Sequence, residues 1–223
     1  RSSAPACKRA STDQRITGLP ASGRHCLAPP AREPEPAATT TAATLVTSSS
    51  ATLNGTANPR LGATTAWFRY ASTSPGTCND TFGTRSPATG GVSVGSGSTA
   101  SPFSQPLTGL TPGATYYYCA IASNLVGTSV GTVQSFTASA VAPTVTTEPA
   151  IQISGTGATL RGSANPGGSP TTGYFRYATT NPGTCNDTFG TRAPSAAGSN
   201  LGSGNTAASF SEVLTTLTPG ATY

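Results

Sequence analysis

The chain has 223 residues and a formal net charge of +5, with twelve Lys or Arg against seven Asp or Glu. Leu, Ile, Val and Phe are scarce, which is typical of disordered chains, but only 9% of the residues are charged, so a charge-driven disordered chain is excluded. No apolar run approaches the about 18 residues that a membrane helix needs, so no membrane span is expected. Abundant Thr, Ser, Gly and Pro, with apolar residues recurring in twos, predict an all-β chain rich in turns.

The first segment, residues 1–35, shows no periodicity and ends in the Pro-rich stretch APPAREPEP, so we expect a disordered or linker tail. It holds half of the basic residues of the chain. The rest of the chain has no basic patch with interleaved aromatic residues, and alternation directs Arg69 and Arg176 towards solvent, away from the neighbouring Phe and Tyr. Nucleic acid is therefore not an expected partner.

An internal repeat organises the remaining residues. Residues 52–116 align without a gap with 159–223, at a spacing of 107: TLNGTANP returns as TLRGSANP, and PGTCNDTFGTR returns unchanged. Such a period is too long for a solenoid unit and suits a small autonomous domain. We therefore predict two tandem domains, at 36–140 and 141–223.

Short strand-like segments separated by Gly, Pro and Asn predict a β-sandwich in each copy. After a Thr- and Ala-rich first strand from Pro36, the segments of the first copy are 44–47, 51–57, 65–71, 91–94, 101–108, 114–122 and 131–138. Those of the second copy are 144–147, 151–154, 158–164, 172–178, 198–201 and 208–215. The second copy is thus expected to be truncated before its last two strands, which would leave the strand around 173–177 as an exposed edge and take core cover from Phe175.

The most specific local motif is LTPGATY, found at 110–116 and again at 217–223. It predicts a tyrosine corner, in which the Tyr hydroxyl bonds back to the backbone, Leu fills the core, and Pro and Gly make the turn. The predicted corner residues are Leu110, Pro112, Tyr116, Leu217, Pro219 and Tyr223.

Together with the downstream stretch YYYCAIASNLVGTSVGTVQSFT, this motif resembles the fibronectin type III family. The resemblance covers 36–140 whole and 143–223 in part, and implies tandem immunoglobulin-like sandwiches whose second member lacks strands F and G of the family. The sequence departs from the family in strand B, where the usual Trp is missing; its one Trp, Trp67, falls in strand C. In bacterial secreted and surface proteins, such modules act as spacers or adhesive, protein-binding units, sometimes beside carbohydrate-active catalytic domains.

Cysteines supply the next prediction. Cys78 lies in the loop after strand C, and alternation places Cys119 on the outer face of strand F, under that loop. We predict a Cys78–Cys119 disulfide that contributes on the order of 3 to 4 kcal/mol, against the alternative of two free thiols. Cys185 then lacks its partner because strand F of the second copy is missing. Whether Cys7 and Cys26 pair stays open. A disulfide indicates an extracellular location, either secreted or at the cell surface.

The repeated CNDTFGTR segment is the best candidate for a site. A single acid in each loop is too few for a calcium cage, so an Asx-turn that shapes the loop is favoured over a ligand site. A contact with a partner is the alternative, because binding residues gather on the loops of rigid scaffolds. The candidate contact residues are Asn79, Asp80, Phe82, Asn186, Asp187 and Phe189.

Catalysis has little support in the sequence. The one histidine, His25, lies in the tail, no two cysteines have zinc-finger spacing, and no pair of carboxylates within one repeat is placed for glycoside hydrolysis. We expect no catalytic residues, no metal and no cofactor. The sequence favours a non-catalytic spacer or adhesion-type repeat that contacts protein or polysaccharide at a cell surface. The alternative is an accessory module of a secreted polysaccharide-degrading enzyme whose catalytic domain lies outside this chain.

Overall fold

The computed structural model describes residues 34–223, so the predictions for the tail, for Cys7 and for Cys26 lie outside the described residues. Within 34–223 the secondary structure is all β, and no helix there is long and apolar enough to cross a membrane. Repeat one (36–140) contains β1 (Ala37–Thr44), β2 (Ser50–Asn58), β3 (Thr64–Ala71), β4 (Thr84–Ser86), β5 (Val92–Gly95), β6 (Ser101–Thr108), β7 (Thr115–Ser123), β8 (Thr128–Val130) and β9 (Gln134–Thr137). Repeat two (141–223) contains β10 (Thr144–Ile151), β11 (Ala158–Asn165), β12 (Thr171–Gly173), β13 (Phe175–Tyr177), β14 (Thr191–Ala193), β15 (Ser199–Gly202) and β16 (Ala208–Leu214).

Repeat one is a sandwich of two antiparallel sheets. The first sheet has the order β1–β2–β6, and in the second β3 pairs with β4 and β5 on one edge and with β7 on the other, while β7 also pairs with β8 and β9. Strict alternation in β2 buries Ala51, Leu53, Gly55 and Ala57 on one face. This period of two turns one face of each sheet towards a shared core.

The core of repeat one consists of thirteen buried residues drawn from both sheets. Its aromatic centre is Phe68, whose ring stacks on that of Phe103 with the centroids 4.7 Å apart. Tyr118 is also fully buried and donates its hydroxyl to the carbonyl oxygen of Thr41 at 2.6 Å. Burial raises the pKa of Tyr118 above its usual value. The hydroxyl therefore stays protonated and continues to tie the two sheets together.

Repeat two keeps the first sheet, with the order β10–β11–β16, but its second sheet consists only of the pairs β12–β15 and β13–β14. Within 34–223 no strand takes the place beside β12 and β13 that β7 takes beside β3. The core cluster holds three buried residues: Ala164, Phe175 and Phe210. The expectation that Phe175 loses its cover is wrong, because the ring of Phe210 stands 4.8 Å away and keeps Phe175 only 8% exposed.

Several predicted strand limits need correction. The segment 44–47 is not a separate strand, because β1 ends at Thr44, Leu45 takes a φ of 50° and the amide of Thr47 donates to Ser50 O at 2.8 Å. Segment 151–154 is not a separate strand, because β10 runs to Ile151 and Gln152 then takes a φ of 52°. The predicted strand 131–138 shortens to β9, β8 lies before it and was not predicted, and 172–178 is interrupted at Tyr174. The three-residue strands β4 and β14 were not predicted.

Candidate functional site

The CNDTFGTR segments form a compact loop at the same place in each repeat. We call residues 78–85 and 185–192 the clamp loops. In repeat one the loop follows β3 and returns to pair with it as β4, with Arg69 opposite Arg85. The side chain of Asn79 shapes the loop, since its Oδ1 accepts hydrogen bonds from the amides of Thr81 and Phe82, both at 2.9 Å. This is the predicted Asx-turn, and it occupies the Asn oxygen with the loop's own backbone.

The second clamp loop repeats this geometry. Asn186 Oδ1 accepts from the amide of Thr188 at 2.9 Å and from that of Phe189 at 3.0 Å. Each loop then closes at a glycine, and at Gly83 the φ of 49° is one that L side chains rarely adopt. A Cβ there would also overlap the carbonyl oxygen of Tyr70. The loop therefore lies directly on strand β3, and the glycine makes that close approach possible.

Asp80 is the centre of the first clamp loop. Its Oδ1 accepts from Trp67 Nε1 at 2.8 Å and from Arg69 Nε at 3.1 Å. The guanidinium of Arg85 lies over the Trp67 ring, 4.4 Å from its centroid. The expectation that Arg69 points to solvent therefore needs correction: it lies on the outer face, but the clamp loop covers it and leaves its side chain 18% exposed.

A disulfide fixes the loop to the sheet. Cys78 and Cys119 are bonded as the sequence predicts, with their Cα atoms 6.1 Å apart. Cys119 is fully buried in a small outer cluster with Trp67 and Ile121, against which Phe82 packs. The clamp loop thus makes a second, minor core on the face of the sheet opposite the main one. Sequence reasoning missed Trp67 and Arg85 as parts of this arrangement.

Repeat two replaces Trp67 with Tyr174 at the equivalent position. Interaction with the Tyr174 hydroxyl and with the guanidinium of Arg176, whose Nε stands 3.3 Å from Asp187 Oδ1, lowers the pKa of the Asp187 carboxyl. The same contact raises the pKa of Tyr174. Arg192 lies over the Tyr174 ring, 4.1 Å from its centroid. The ionic part of the clamp is therefore preserved, whereas Cys185 is an exposed free thiol.

Both LTPGATY segments form the corner geometry that the motif predicts. The amide of Thr111 donates to the Tyr116 hydroxyl at 3.0 Å, and the amide of Thr218 donates to the Tyr223 hydroxyl at the same distance. Leu110 is buried, whereas Leu217 is half-buried. The corner therefore forms in repeat two even without a neighbouring strand within the described residues.

The turn of the first corner also contacts repeat two. Asn205 Nδ2 donates to Pro112 O at 2.9 Å, and Gly113 lies against the backbone of Gly168. A Cβ on Gly168 would stand 2.5 Å from Pro112 O. We call these four residues the junction. Because two glycines meet there backbone to backbone, the contact tolerates no side chain on either of them.

The carboxylates of the described residues are mostly engaged in ion pairs. Besides Asp80 and Asp187, Glu148 pairs with Arg161 at 2.9 Å. Across 34–223 no three His, Cys, Asp or Glu side chains come together as metal ligands would. The polar groups of the clamp loops therefore stabilise the loops themselves, and the candidate contact residues Asn79, Asp80, Asn186 and Asp187 are all used internally.

The sequence matches no protein-family model and no curated protein. Among solved structures, it is similar to the sensor domain of the anti-sigma factor RsgI4 of Pseudobacteroides cellulosolvens, with 16% identity over 46% of this chain and 74% of that one, at a TM-score of 0.31. A TM-score this low does not establish a common fold, and an identity this low does not establish a common function.

Proposed function

We propose that this chain is a non-catalytic structural module of a secreted or cell-surface protein, made of fibronectin type III-like sandwiches in tandem. Its role is that of a spacer that holds the parts flanking it at a set distance and orientation. The junction is the observation that carries this proposal, because Gly113 against Gly168 and Asn205 on Pro112 tie the two repeats together directly. Domains on a flexible linker would need no such contact.

Two further features support a structural role outside the cytoplasm. The Cys78–Cys119 disulfide persists in an oxidising compartment and is rare in a reducing one. The polar groups of the clamp loops form internal hydrogen bonds and ion pairs. These bonds make each loop rigid and leave few polar groups free for catalysis or ligand binding. Rigid repeats, of which repeat one is also held by a disulfide, are suited to carry load and keep their length.

The proposal predicts a fixed angle between the repeats, which residual dipolar couplings measure directly. In the wild-type chain, both repeats should fit one alignment tensor. Gly168→Ala should break the junction, because the new Cβ meets Pro112 O at 2.5 Å, and the two repeats should then need separate tensors. Asn205→Ala, which removes one hydrogen bond, should give a smaller divergence.

The matched control is Gly95→Ala. Gly95 has nearly the same φ as Gly168, 85° against 89°, but a Cβ there meets nothing within 4 Å. Gly95→Ala therefore introduces the same backbone strain without the clash. In this variant both repeats should still fit one alignment tensor. Separate tensors in the wild-type chain would overturn the spacer proposal, and so would binding to insoluble polysaccharide that survives Gly168→Ala unchanged.

A further inference from the structure

One edge of the first sheet differs between the two repeats. Among the described residues, the strand at this edge pairs on one side only: β6 pairs with β2, and β16 pairs with β11. In repeat one, the strands that follow β6 along the chain, β7, β8 and β9, all join the other sheet. A free edge at this place is therefore a property of the complete repeat. We call the side of β16 that faces away from β11 the open edge.

Repeat one blocks its edge with two prolines. Pro102 and Pro106 lie opposite Thr56 and Thr52 of β2. Because proline has no N–H and cannot donate to a ladder, the backbone nitrogens of both prolines face away from β2. Residues two apart along a strand share this orientation, so the nitrogen of Ser104 also faces outward. Only Ser104, between the two prolines, can donate a hydrogen bond to an added strand.

Repeat two has no proline at these positions. The repeat spacing places Ser209 and Val213 where repeat one has its prolines, with Ser211 between them. Since β16 pairs with β11 without a register shift, the backbone N–H groups of Ser209, Ser211 and Val213 all face outward. The three residues are exposed, Val213 to 63%. The open edge thus presents an unbroken row of donors and acceptors, which is a template for another strand.

Glu212 adds a charge to the open edge. It takes the place of Gln105 and lies on the core side of β16, between the buried residues Phe210 and Leu214. Glu212 is half-buried, and within 34–223 its carboxylate makes no ion pair. A carboxylate between apolar side chains is stabilised by a cation within reach, and opposite charges on facing strands attract. Glu212 therefore favours an added strand with a basic residue opposite it.

A second copy of this chain is a poor occupant of the open edge. If two β16 strands paired antiparallel with Ser211 opposite Ser211, their Glu212 residues would be diagonal neighbours on one face, roughly 7 to 8 Å apart. The strand has no basic residue to offset this repulsion. Charges that point inward from an edge strand oppose self-association in this way. The same charge thus disfavours one partner and favours another.

We propose that the open edge binds an extended, basic segment of a partner protein as an additional antiparallel strand. Main-chain hydrogen bonds to Ser209, Ser211 and Val213 supply affinity, and the side chains supply specificity. The position opposite Glu212 takes Lys or Arg, and the position opposite Phe210 takes an apolar residue. The positions on either side of the basic residue take Thr or Val, which pack beside Val213 on the outer face. Repeat two then holds a partner at its side, in addition to its contact with repeat one.

The experiment uses the full chain and the peptide VTKTVTS with fluorescein at its N-terminus. In the antiparallel register its lysine stands opposite Glu212. Fluorescence anisotropy measures the Kd, and the peptide should protect the amides of Ser209, Ser211 and Val213 from hydrogen exchange. The matched peptide VTETVTS should bind at least about fivefold more weakly, because it sets two carboxylates opposite each other. Glu212→Lys should reverse this preference.

Proline substitution tests the main-chain hydrogen bonds. Ser209→Pro and Val213→Pro, made together, restore the pattern of β6, where the sheet accommodates proline at both positions. This variant should keep the circular dichroism spectrum of the wild-type chain and bind VTKTVTS at least about tenfold more weakly, because two N–H donors are lost. The control, Ser209→Ala with Val213→Thr, keeps both donors and should keep the wild-type Kd.

Three results would overturn the proposal. They are no binding of VTKTVTS, equal affinities for the two peptides in both the wild-type chain and Glu212→Lys, and an affinity that the two prolines leave unchanged. A dimer that Glu212→Gln strengthens and the prolines abolish would also overturn it, because a second copy would then occupy the open edge. None of these measurements bears on the alignment tensors at the junction, so this proposal and the spacer proposal fail separately.

Discussion

Asp80 links the clamp loop to two side chains of β3. Its carboxylate accepts from the indole of Trp67 and the guanidinium of Arg69, and the Trp67 ring in turn supports Arg85. The indole N–H is only partly accessible to water, so an acceptor is worth more to it than to an exposed donor. From the sequence, Asp80 is a candidate contact residue only as the alternative to a structural loop, and the structure shows the bonds that it makes to β3.

We therefore expect Asp80→Ala to lower the free energy of unfolding of repeat one by about 1 kcal/mol, because the indole loses its acceptor while the half-exposed ion pair adds little. The chain has one Trp, so fluorescence during urea unfolding reports on repeat one alone. Asp187→Ala is the matched variant, with a carboxylate that is 65% exposed against 44% for Asp80. It should leave the Trp67 transition in place, and a shift of equal size would contradict this account.

At the scale of elements, the disulfide links the clamp loop to β7 over a separation of 41 residues. Closing a loop of this length removes conformational freedom mainly from the unfolded chain. Replacing both Cys78 and Cys119 with alanine should therefore lower the stability of repeat one by about 4 kcal/mol, as measured by the Trp67 transition in urea.

The control for the disulfide is Cys185→Ala, which removes the exposed, unbonded thiol at the equivalent position. It should leave the Trp67 transition unchanged. An unchanged transition in the Cys78→Ala, Cys119→Ala double variant would show that the outer cluster with Ile121 holds the clamp loop by packing alone.

The strands that were predicted within a residue or two are those with alternating burial. In β2, every second residue from Ala51 to Ala57 faces the core, and the same two-residue period is visible in the sequence. The segments β4 and β14 have three residues each, too few for any period to show. The turn after Leu45, which has a φ of 50°, is closed by a hydrogen bond from Thr47 to Ser50, and it was missed because the residues TLV have strand propensity.

The clamp loop was predictable only in part. Asn followed by Asp, Thr and Gly carries a local turn signal, so the Asx-turn at Asn79 followed from the sequence. The packing of Arg85 over Trp67 depends instead on the register that sets Arg69 opposite Arg85, and register is a property of the paired strands rather than of either segment. The tyrosine corner was easier to predict from the sequence, because the donor and acceptor of its hydrogen bond lie only five residues apart.

At the scale of the whole molecule, the two repeats differ in the size of their hydrophobic cores. Thirteen buried residues form the main cluster of repeat one, against three in repeat two, although residues 52–116 and 159–223 align without a gap. We therefore expect two separate transitions on heating, with repeat two unfolding first. Calorimetry should show both, and Trp67 fluorescence should follow only the later one.

Proteolysis offers an independent measurement of the same difference. Limited digestion should cut within 143–223 before it cuts within 36–140, because cleavage follows the population of the open state. A single transition with equal protection of both repeats would contradict the unequal cores.

The two sides of the junction are different surfaces, and only one of them is present in both repeats. Its receiving side, the Pro112–Gly113 turn, recurs in repeat two as Pro219–Gly220, and the two glycines have similar φ angles of 71° and 75°. Its docking side does not recur, because repeat one carries Leu61 where repeat two has Gly168, and Ser98 where repeat two has Asn205.

A unit of the repeat-two type both docks and receives, whereas repeat one only receives. Units of the second type placed in series would each apply the same rotation and translation to the next. The polymer would follow a screw axis whose pitch and hand are set by one pair of glycines, and repeat one would serve as its starting cap.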